Sequence, residues 1–465
     1  MKRLKELFLL GQLLLLITSC NIEKEEFTIE KSHALIDVNE TNTYAFLGNS
    51  ITHDGRYHSY FELFLLTRYP DVDFKFINAG VAGDQAGIAL NRLQVDLLVH
   101  QPDLVMVMFG MNDIGRNLYG RENLEVDSLI VKQQRNLSNY STNLDSMTRL
   151  LLDVGTKVVL FTPSIYEQNA DNLAAHNRFG CNDALGKCAL MVENIKEKYN
   201  TYLVDHFTVM DSLNMLLQKD NPDTTIVGPD RVHPQDIGHF IMASNIIEQL
   251  GYNPLVASVE INIPEKSISV TNAKVEDLLV DDDELTFNYN PGALPFPTKK
   301  FNGIATRISF NQNMNQETLT IKGLSVGNYS MRIDTMEIAG FSNKELEAGI
   351  NLSTYVTPQY LYAAEIANLV EQKRKLYSNK LRNIAFIEYF FAPEVRELND
   401  HQQVINILQN RSKTANNDWI SSQIERYFEV INNLPAIESE IDSLNVEINK
   451  LRQAIPAFKI IVKKI

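Results

Sequence analysis

The sequence predicts an α/β domain built on a parallel sheet, followed by a smaller β-rich domain and a helical C-terminal region. Three observations carry this. Between residues 42 and 252, short apolar runs alternate with stretches whose apolar residues recur at helical spacing, the pattern of strands joined by crossover helices. After Tyr252 the pattern changes to strict apolar–polar alternation, which marks half-buried antiparallel strands. From Ser342 onward the spacing is mostly helical.

Taken in order, the first element lies outside the fold. Lys2, Arg3 and Lys5 precede an apolar run from Leu7 to Ile17 that ends in Ile17-Thr18-Ser19-Cys20. At a helical rise that run covers only ~16 Å, too short for the ~30 Å hydrocarbon core of a bilayer. Residues 1–19 therefore read as a secretory signal. The ending is similar to the lipobox of bacterial lipoproteins, which implies cleavage before Cys20 and a lipid on its sulfur; the alternative is an ordinary signal with an incidental cysteine. Residues 20–41 read as a tether. Within it, Lys24-Glu25-Glu26 resembles the signal that sends some outer-membrane lipoproteins to the cell surface, or is simply a solvated start. The expected location is the outer membrane, on the cell surface or the periplasmic face.

Tyr44–Leu47, Phe74–Ile77, Leu104–Phe109, Val158–Phe161 and Tyr202–Val204 are the expected strands of the domain over 42–252, with Leu90, Leu93, Leu97 and Leu98 showing the helical spacing between them. In such a sheet the ligand crevice lies beyond the C-terminal ends of the strands. Val259–Ile263, Leu285–Tyr289 and Tyr329–Ile333 are expected strands of a small β-sandwich-like domain over 256–341. Asp281-Asp282-Asp283-Glu284 lacks the spacing of a calcium loop and reads as solvated. Ser342-Asn343-Lys344-Glu345 is a capping-box pattern opening the helical region, 342–465. There Ile437, Ile441, Leu444, Ile448, Leu451 and Ile455 follow a heptad rhythm, either a helical hairpin packed on its own chain or a seam between two copies in a homo-oligomer.

Composition excludes several classes. A hydrophobic fraction of 44% supports a sizeable core and rules out a disordered chain. Lys and Arg total 43 against 58 Asp and Glu, a net charge of −15 that argues against nucleic acid as a partner. Three cysteines make no disulfide framework and no zinc cluster; Cys181 and Cys188 pair only if a bend separates them, and are otherwise two buried thiols.

Four segments carry chemistry. Gly48-Asn49-Ser50 directly follows the first strand, so that Ser50 presents a hydroxyl and a backbone N–H to the crevice. Asn78-Ala79-Gly80-Val81-Ala82-Gly83-Asp84 follows the second, where Gly83 can offer an N–H unobstructed by a side chain. Gly110-Met111-Asn112-Asp113 follows the third and supplies the Asn112 amide. Asp230-Arg231-Val232-His233 lies beyond the fifth, with the carboxylate three positions before the imidazole, placed to hold its Nδ1–H. Each segment alone fits an ordinary turn or cap. Together they supply a nucleophile, a base, an orienting carboxylate and three donors for an oxyanion.

In these four blocks the chain resembles the SGNH hydrolase superfamily, the GDSL-type esterases, over about residues 42–252. The resemblance implies a flavodoxin-like three-layer α/β/α fold with five parallel strands. It makes Ser50 the nucleophile, His233 the base, Asp230 its partner, and Gly83 and Asn112 the rest of the oxyanion hole, with no metal or cofactor. Two departures stand out. Asn49 replaces the usual Asp, and Arg231 occupies a position where a small residue is common, expected to narrow the pocket or meet an anionic substrate. His53 is expected to face solvent from a first helical turn, the alternative being a place lining the crevice, and Thr162-Pro163-Ser164 to open a loop, the alternative being to shape the pocket. His58, His100, His176 and His206 show no metal-ligand spacing and receive no role.

Export and an appended β-domain point to an esterase that removes acetyl or short acyl groups from glycans at the cell envelope. The alternatives are a lipase or thioesterase for longer acyl chains, and a glycan-binding surface protein with a degenerate hydrolase domain.

Overall fold

The computed structural model describes residues 35–120, 126–392, 401–414 and 418–465. The signal, Cys20 and residues 20–34 of the tether lie outside the described residues. Five strands, Thr43–Gly48 (β1), Lys75–Gly80 (β2), Leu104–Met108 (β3), Lys157–Phe161 (β4) and Tyr202–Val204 (β5), coincide with the expected apolar runs to within two residues at either end, except that β2 runs on three residues to Gly80. All pair in parallel, in the order β2-β1-β3-β4-β5. That order reverses direction beside β1, so the crevice opens where β1 and β3 diverge.

Alternate residues of each strand feed opposite cores. On one face Tyr44, Phe46, Leu104 and Met106 meet the helices Arg56–Arg68 and Asp236–Gln249. On the other Ala45, Leu47, Val105 and Val107 meet the helices Val126–Asp153 and Cys181–Tyr199. This is the three-layer α/β/α arrangement. Cys181 and Cys188 sit on one of these helices as free, buried thiols.

The β-rich part differs from the expected contiguous antiparallel domain. Its strands are Leu255–Asn262 (β6), Ser267–Thr271 (β7), Ala273–Val280 (β8), Glu284–Pro291 (β9), Gln316–Lys322 (β10), Asn328–Ile333 (β11), Met336–Ser342 (β12), Ile350–Asn351 (β13) and Phe458–Lys464 (β14). One sheet runs β13-β10-β6-β7, the other β12-β11-β14-β9-β8. β6 and β10 are parallel, because residues 292–315 leave the module, pack Leu294, Phe296, Phe301 and Phe310 into the hydrolase-side core, and return to the same end. The helical region does not stay helical to its end. β14 crosses back and inserts between β9 and β11, antiparallel to both. Its alternate residues Phe458, Ile460 and Val462 fill the sandwich core.

The helices Pro358–Leu376 and Leu434–Gln453 pack on each other within the same chain, with the helices Arg382–Phe391, His401–Thr414 and Asp418–Asn432 between them in sequence, so the expected simple hairpin is interrupted. Ala363, Ile366, Leu369, Val370, Leu444 and Ile448 join the core of the α/β layer, so the heptad face is spent internally from Leu444 on. Ile437 and Ile441 pack instead with Ile384, Ile387 and Tyr427. Ser342 caps its helix reciprocally with Glu345, as expected. No helix among the described residues is long and apolar enough to cross a membrane.

Candidate active site

Ser50 opens the five-residue helix Ser50–Asp54 immediately after β1. The Asn49 side chain accepts the Ile51 N–H at 3.0 Å and caps this helix, a role that needs an oxygen rather than a charge. The turn is packed so tightly that its neighbours must be glycine. A methyl group at Gly48 would stand 2.8 Å from the Met108 carbonyl oxygen, and one at Gly80 2.5 Å from the Thr52 carbonyl carbon.

Beyond β5, the Asp230–His233 turn returns to the same crevice. His233 Nε2 lies 2.7 Å from Ser50 Oγ, and Nδ1 is hydrogen-bonded to Asp230 Oδ2. The other Asp230 oxygen accepts the N–H groups of Val232 and His233, both at 3.0 Å. Burial works to raise the Asp230 carboxyl, but the hydrogen bonds from the His233 ring and these backbone groups hold it below the ordinary carboxylate range. A carboxylate fixed in this way orients the imidazole with Nε2 toward the hydroxyl, the geometry in which the ring can take the serine proton.

The remaining donors converge from the next two loops. Gly83 has φ +80°, and the backbone N–H groups of Ser50 and Gly83 have no acceptor among the described residues. Asn112 Nδ2 donates one hydrogen to the Asp84 carbonyl at 2.9 Å, which leaves the second for the crevice. Gln85 Nε2 donates to the Asn112 carbonyl at 2.9 Å, and Asp113, buried with its carboxyl pushed up to about 6 by burial, accepts from Ala86 N and Gly110 N. The five residues singled out from the sequence thus lie around one crevice. Asn112, Asp230 and His233 line a cavity of about 480 Å³ there, with Gln85, Arg116, Tyr166, His176 and Arg178.

Two expectations are corrected. Arg231 neither narrows the pocket nor meets a ligand. It is 3% exposed, has φ +67°, and its guanidinium donates to the carbonyls of Glu167, Ala170 and Ala175 at 2.8–3.1 Å, locking the 167–175 loop to the His233 turn. His53 does not face solvent. Its Nδ1 accepts the Ala82 N–H at 3.3 Å and its Nε2 donates to the Ser378 carbonyl at 2.9 Å, while burial, with Arg382 adding, pushes its pKa down to about 4. Thr162 bonds Asp205 and the Phe207 N–H below the crevice and is structural.

A buried ion network behind these loops had no counterpart in the sequence reading. Arg92 pairs with Asp84 at 2.6 Å and Asp96 at 2.5 Å, and reaches the Gly48 carbonyl at 3.4 Å. Arg382, from the C-terminal helices, grips both oxygens of Asp96 at 2.7 Å and donates to the Gly80 carbonyl at 3.0 Å. Burial opposes the Asp96 charge, but the two guanidiniums outweigh it and hold its carboxyl far below the usual range. Asp96 lies in a π-helical turn, Leu93–Leu97, and Arg382 directly follows another, Tyr377–Leu381. The only local hint was the i,i+4 spacing of Arg92 and Asp96.

Residues 46–241 match the GDSL-like Lipase/Acylhydrolase family. An acetylxylan esterase of Geobacillus stearothermophilus is 26% identical over 223 residues, 44% of this chain and 93% of the esterase. A crystal structure of that organism's acetylxylan esterase superposes at 21% identity with a TM-score of 0.37, covering 47% of this chain and 98% of the other. A gut microbial diltiazem-metabolizing enzyme is similar over nearly the full length: 27% identity, TM-score 0.83, 92% of this chain and 98% of that one.

Proposed function

We propose that this chain, whose residues 46–241 form a domain of the GDSL-like lipase/acylhydrolase family, is a serine esterase that removes acetyl or other short acyl groups from carbohydrate alcohols. The observation that carries this reading is the hydrogen-bonded series Ser50–His233–Asp230 at the C-terminal edge of the parallel sheet.

In this mechanism the Ser50 hydroxyl attacks the ester carbonyl as His233 Nε2 takes its proton. The tetrahedral oxyanion is met by the N–H groups of Ser50 and Gly83 and by the free Asn112 amide hydrogen, each such donor being worth ~3–4 kcal/mol. His233 then passes the proton to the leaving alcohol and an acyl-Ser50 remains. A water, deprotonated by the same imidazole, attacks the acyl carbonyl, passes through a second oxyanion and releases the acid, restoring Ser50. Asp230 stays charged throughout and keeps the ring in the productive tautomer.

The short acyl group is supported by the likeness to an acetylxylan esterase, 26% identical over 223 residues that make up 93% of that esterase. Hydrolysis of p-nitrophenyl acetate, lost in Ser50→Ala, is the expected result; equal turnover by both proteins overturns the reading. A decanoate ester cleaved faster than acetate would move the assignment to a lipase. The proposal extends to location. The Leu7–Ile17 run and Cys20 support export and lipidation, checked by palmitate labelling that Cys20→Ser abolishes.

A further inference from the structure

The crevice beside His233 carries two arginines that the esterase chemistry does not use. Arg116 and Arg178 line the cavity that Asn112, Asp230 and His233 also line. Arg116 sits four positions after Asn112, turned into place by Gly115 at φ +67°. Arg178 is held by its backbone N–H, which donates to the Tyr166 hydroxyl at 2.9 Å. The wall that bears Tyr166 and Arg178 adjoins the 167–175 loop that Arg231 clamps to the His233 turn. Both guanidiniums are therefore mounted on the loops that hold the candidate catalytic groups.

Neither has a partner. Arg56, Arg92, Arg374 and Arg382 each form an ion pair with an aspartate or glutamate. Arg116 and Arg178 form no ion pair and no side-chain hydrogen bond among the described residues, and Arg116 Nη1 is buried without an acceptor. Burial disfavours the Arg116 charge and the neighbouring Arg178 adds to this, against a smaller opposing pull from Cys181 and Asp230. The nearby carboxylate, Asp230, is occupied by His233 and two backbone N–H groups. A partly desolvated Arg116 guanidinium beside a second cation, with the nearby carboxylate already engaged, is stabilised when an anion arrives with the substrate.

We propose that Arg116 and Arg178 form an anion subsite, and that the preferred substrates are short-acyl esters of an acidic alcohol, a sugar bearing a carboxylate or a sulfate. This rests on the esterase reading. An acetyl group has no ionisable atom, so the charge must lie in the alcohol part. Two guanidinium forks suit planar, multidentate recognition of such a group.

The test compares kcat/KM for three esters: an O-acetylated methyl glucuronoside, its uronic methyl ester, and an O-acetylated methyl glucoside 6-sulfate. The wild type is expected to prefer the uronate over its methyl ester by ~10-fold or more, a preference weakened by salt. Arg116→Gln and Arg178→Gln are expected to shrink that ratio, and Arg→Lys at either site to restore part of it. The sulfate arm separates the sources: preference for both anions means the subsite reads charge, and preference for the uronate alone means it reads carboxylate geometry. Equal cleavage of the uronate and its methyl ester by the wild type, a measurement that needs no variant, overturns the proposal. So does a ratio unchanged in both Gln variants. Ser50→Ala titrated calorimetrically with the same uronate and methyl ester separates the two readings. Tighter binding of the uronate with no Ser50-dependent hydrolysis would sink the esterase and keep the subsite. Equal binding, with Ser50-dependent cleavage of p-nitrophenyl acetate, would do the reverse.

Discussion

The Asn112 amide illustrates how much of the proposed chemistry depends on single hydrogen bonds. One of its hydrogens is already committed to the Asp84 carbonyl, so its orientation is set before a substrate enters. Asn112→Ala is expected to lower kcat on p-nitrophenyl acetate by ~100-fold or more, with a smaller change in KM, measured by steady-state kinetics. Asp230 is held ionised by its hydrogen bonds, so it remains a carboxylate across the acid side of the profile. General-base catalysis requires a neutral imidazole, so kcat/KM is expected to fall on the acid side of the profile. A kcat/KM flat from pH 5 to 8 would count against an imidazole base. These residues were legible in the sequence because each follows its own strand directly, so local reading placed it at the right end of the sheet. His53 and Arg231 were misread for the opposite reason. Their partners lie 29 and 325 positions away in one case and 56 to 64 in the other, and no local pattern announces them.

At the level of elements, the loops after β1, β2 and β3 do not stand alone. Arg92 and Arg382 join the first two through Asp84, Asp96 and the carbonyls of Gly48 and Gly80, and Asn112 ties the third to the Asp84 carbonyl, so a helix more than 280 positions downstream helps to set the oxyanion donors. Phe390, the penultimate residue of that helix (Arg382–Phe391), also reaches the oxyanion loop, its ring 3.1 Å from where a Gly83 methyl would stand. Removing Arg382 leaves Asp96 with Arg92 alone in a buried site. Arg382→Ala is expected to cost ~3 kcal/mol of stability in a denaturant titration, and ~10-fold in kcat through looser placement of the β2 loop. Unchanged kcat at reduced stability would restrict Arg382 to holding the fold together. The strands were read well because period-2 and continuous apolar runs are local signals. β14 was not, since it follows a hundred residues of helical pattern and its strand partners are supplied by distant β9 and β11.

Across the whole molecule, the three expected domains merge. Residues 292–315 and the helices Pro358–Leu376 and Leu434–Gln453 complete the core of the α/β layer, and the described residues from 35 onward form one compact unit. The boundaries at 256, 341 and 342 follow real changes in pattern. Pattern reports what each segment buries, though not against which part of the chain. Burial also places neutral histidines through this shared interior: it pushes His58, His206 and His239 down to about 3 and His53 to about 4. In the unfolded chain these rings bind protons below their ordinary value of ~6.5, and in the native protein they do not. The unfolded state therefore gains protons first, and stability falls as pH drops from that value toward the native ones. Asp113 and Glu317, raised by burial to about 6 and about 7, act oppositely, favouring the native state below those values. Four groups outweigh two, and once the unfolded carboxyls are protonated the acids add nothing more. The Tm is expected to fall by ~5 °C or more between pH 7 and pH 4.5, followed by calorimetry.

The position of β14 bears on biosynthesis. A sheet whose central strand comes from residues 458–464 cannot close while the chain is still emerging from the ribosome, so β9 and β11 wait with open edges until synthesis has passed that point. The unfinished half-sandwich is then the form in which the polypeptide is most exposed to chaperones and proteases. A stop codon that removes only this ribbon would be expected to yield aggregate and not a shortened enzyme.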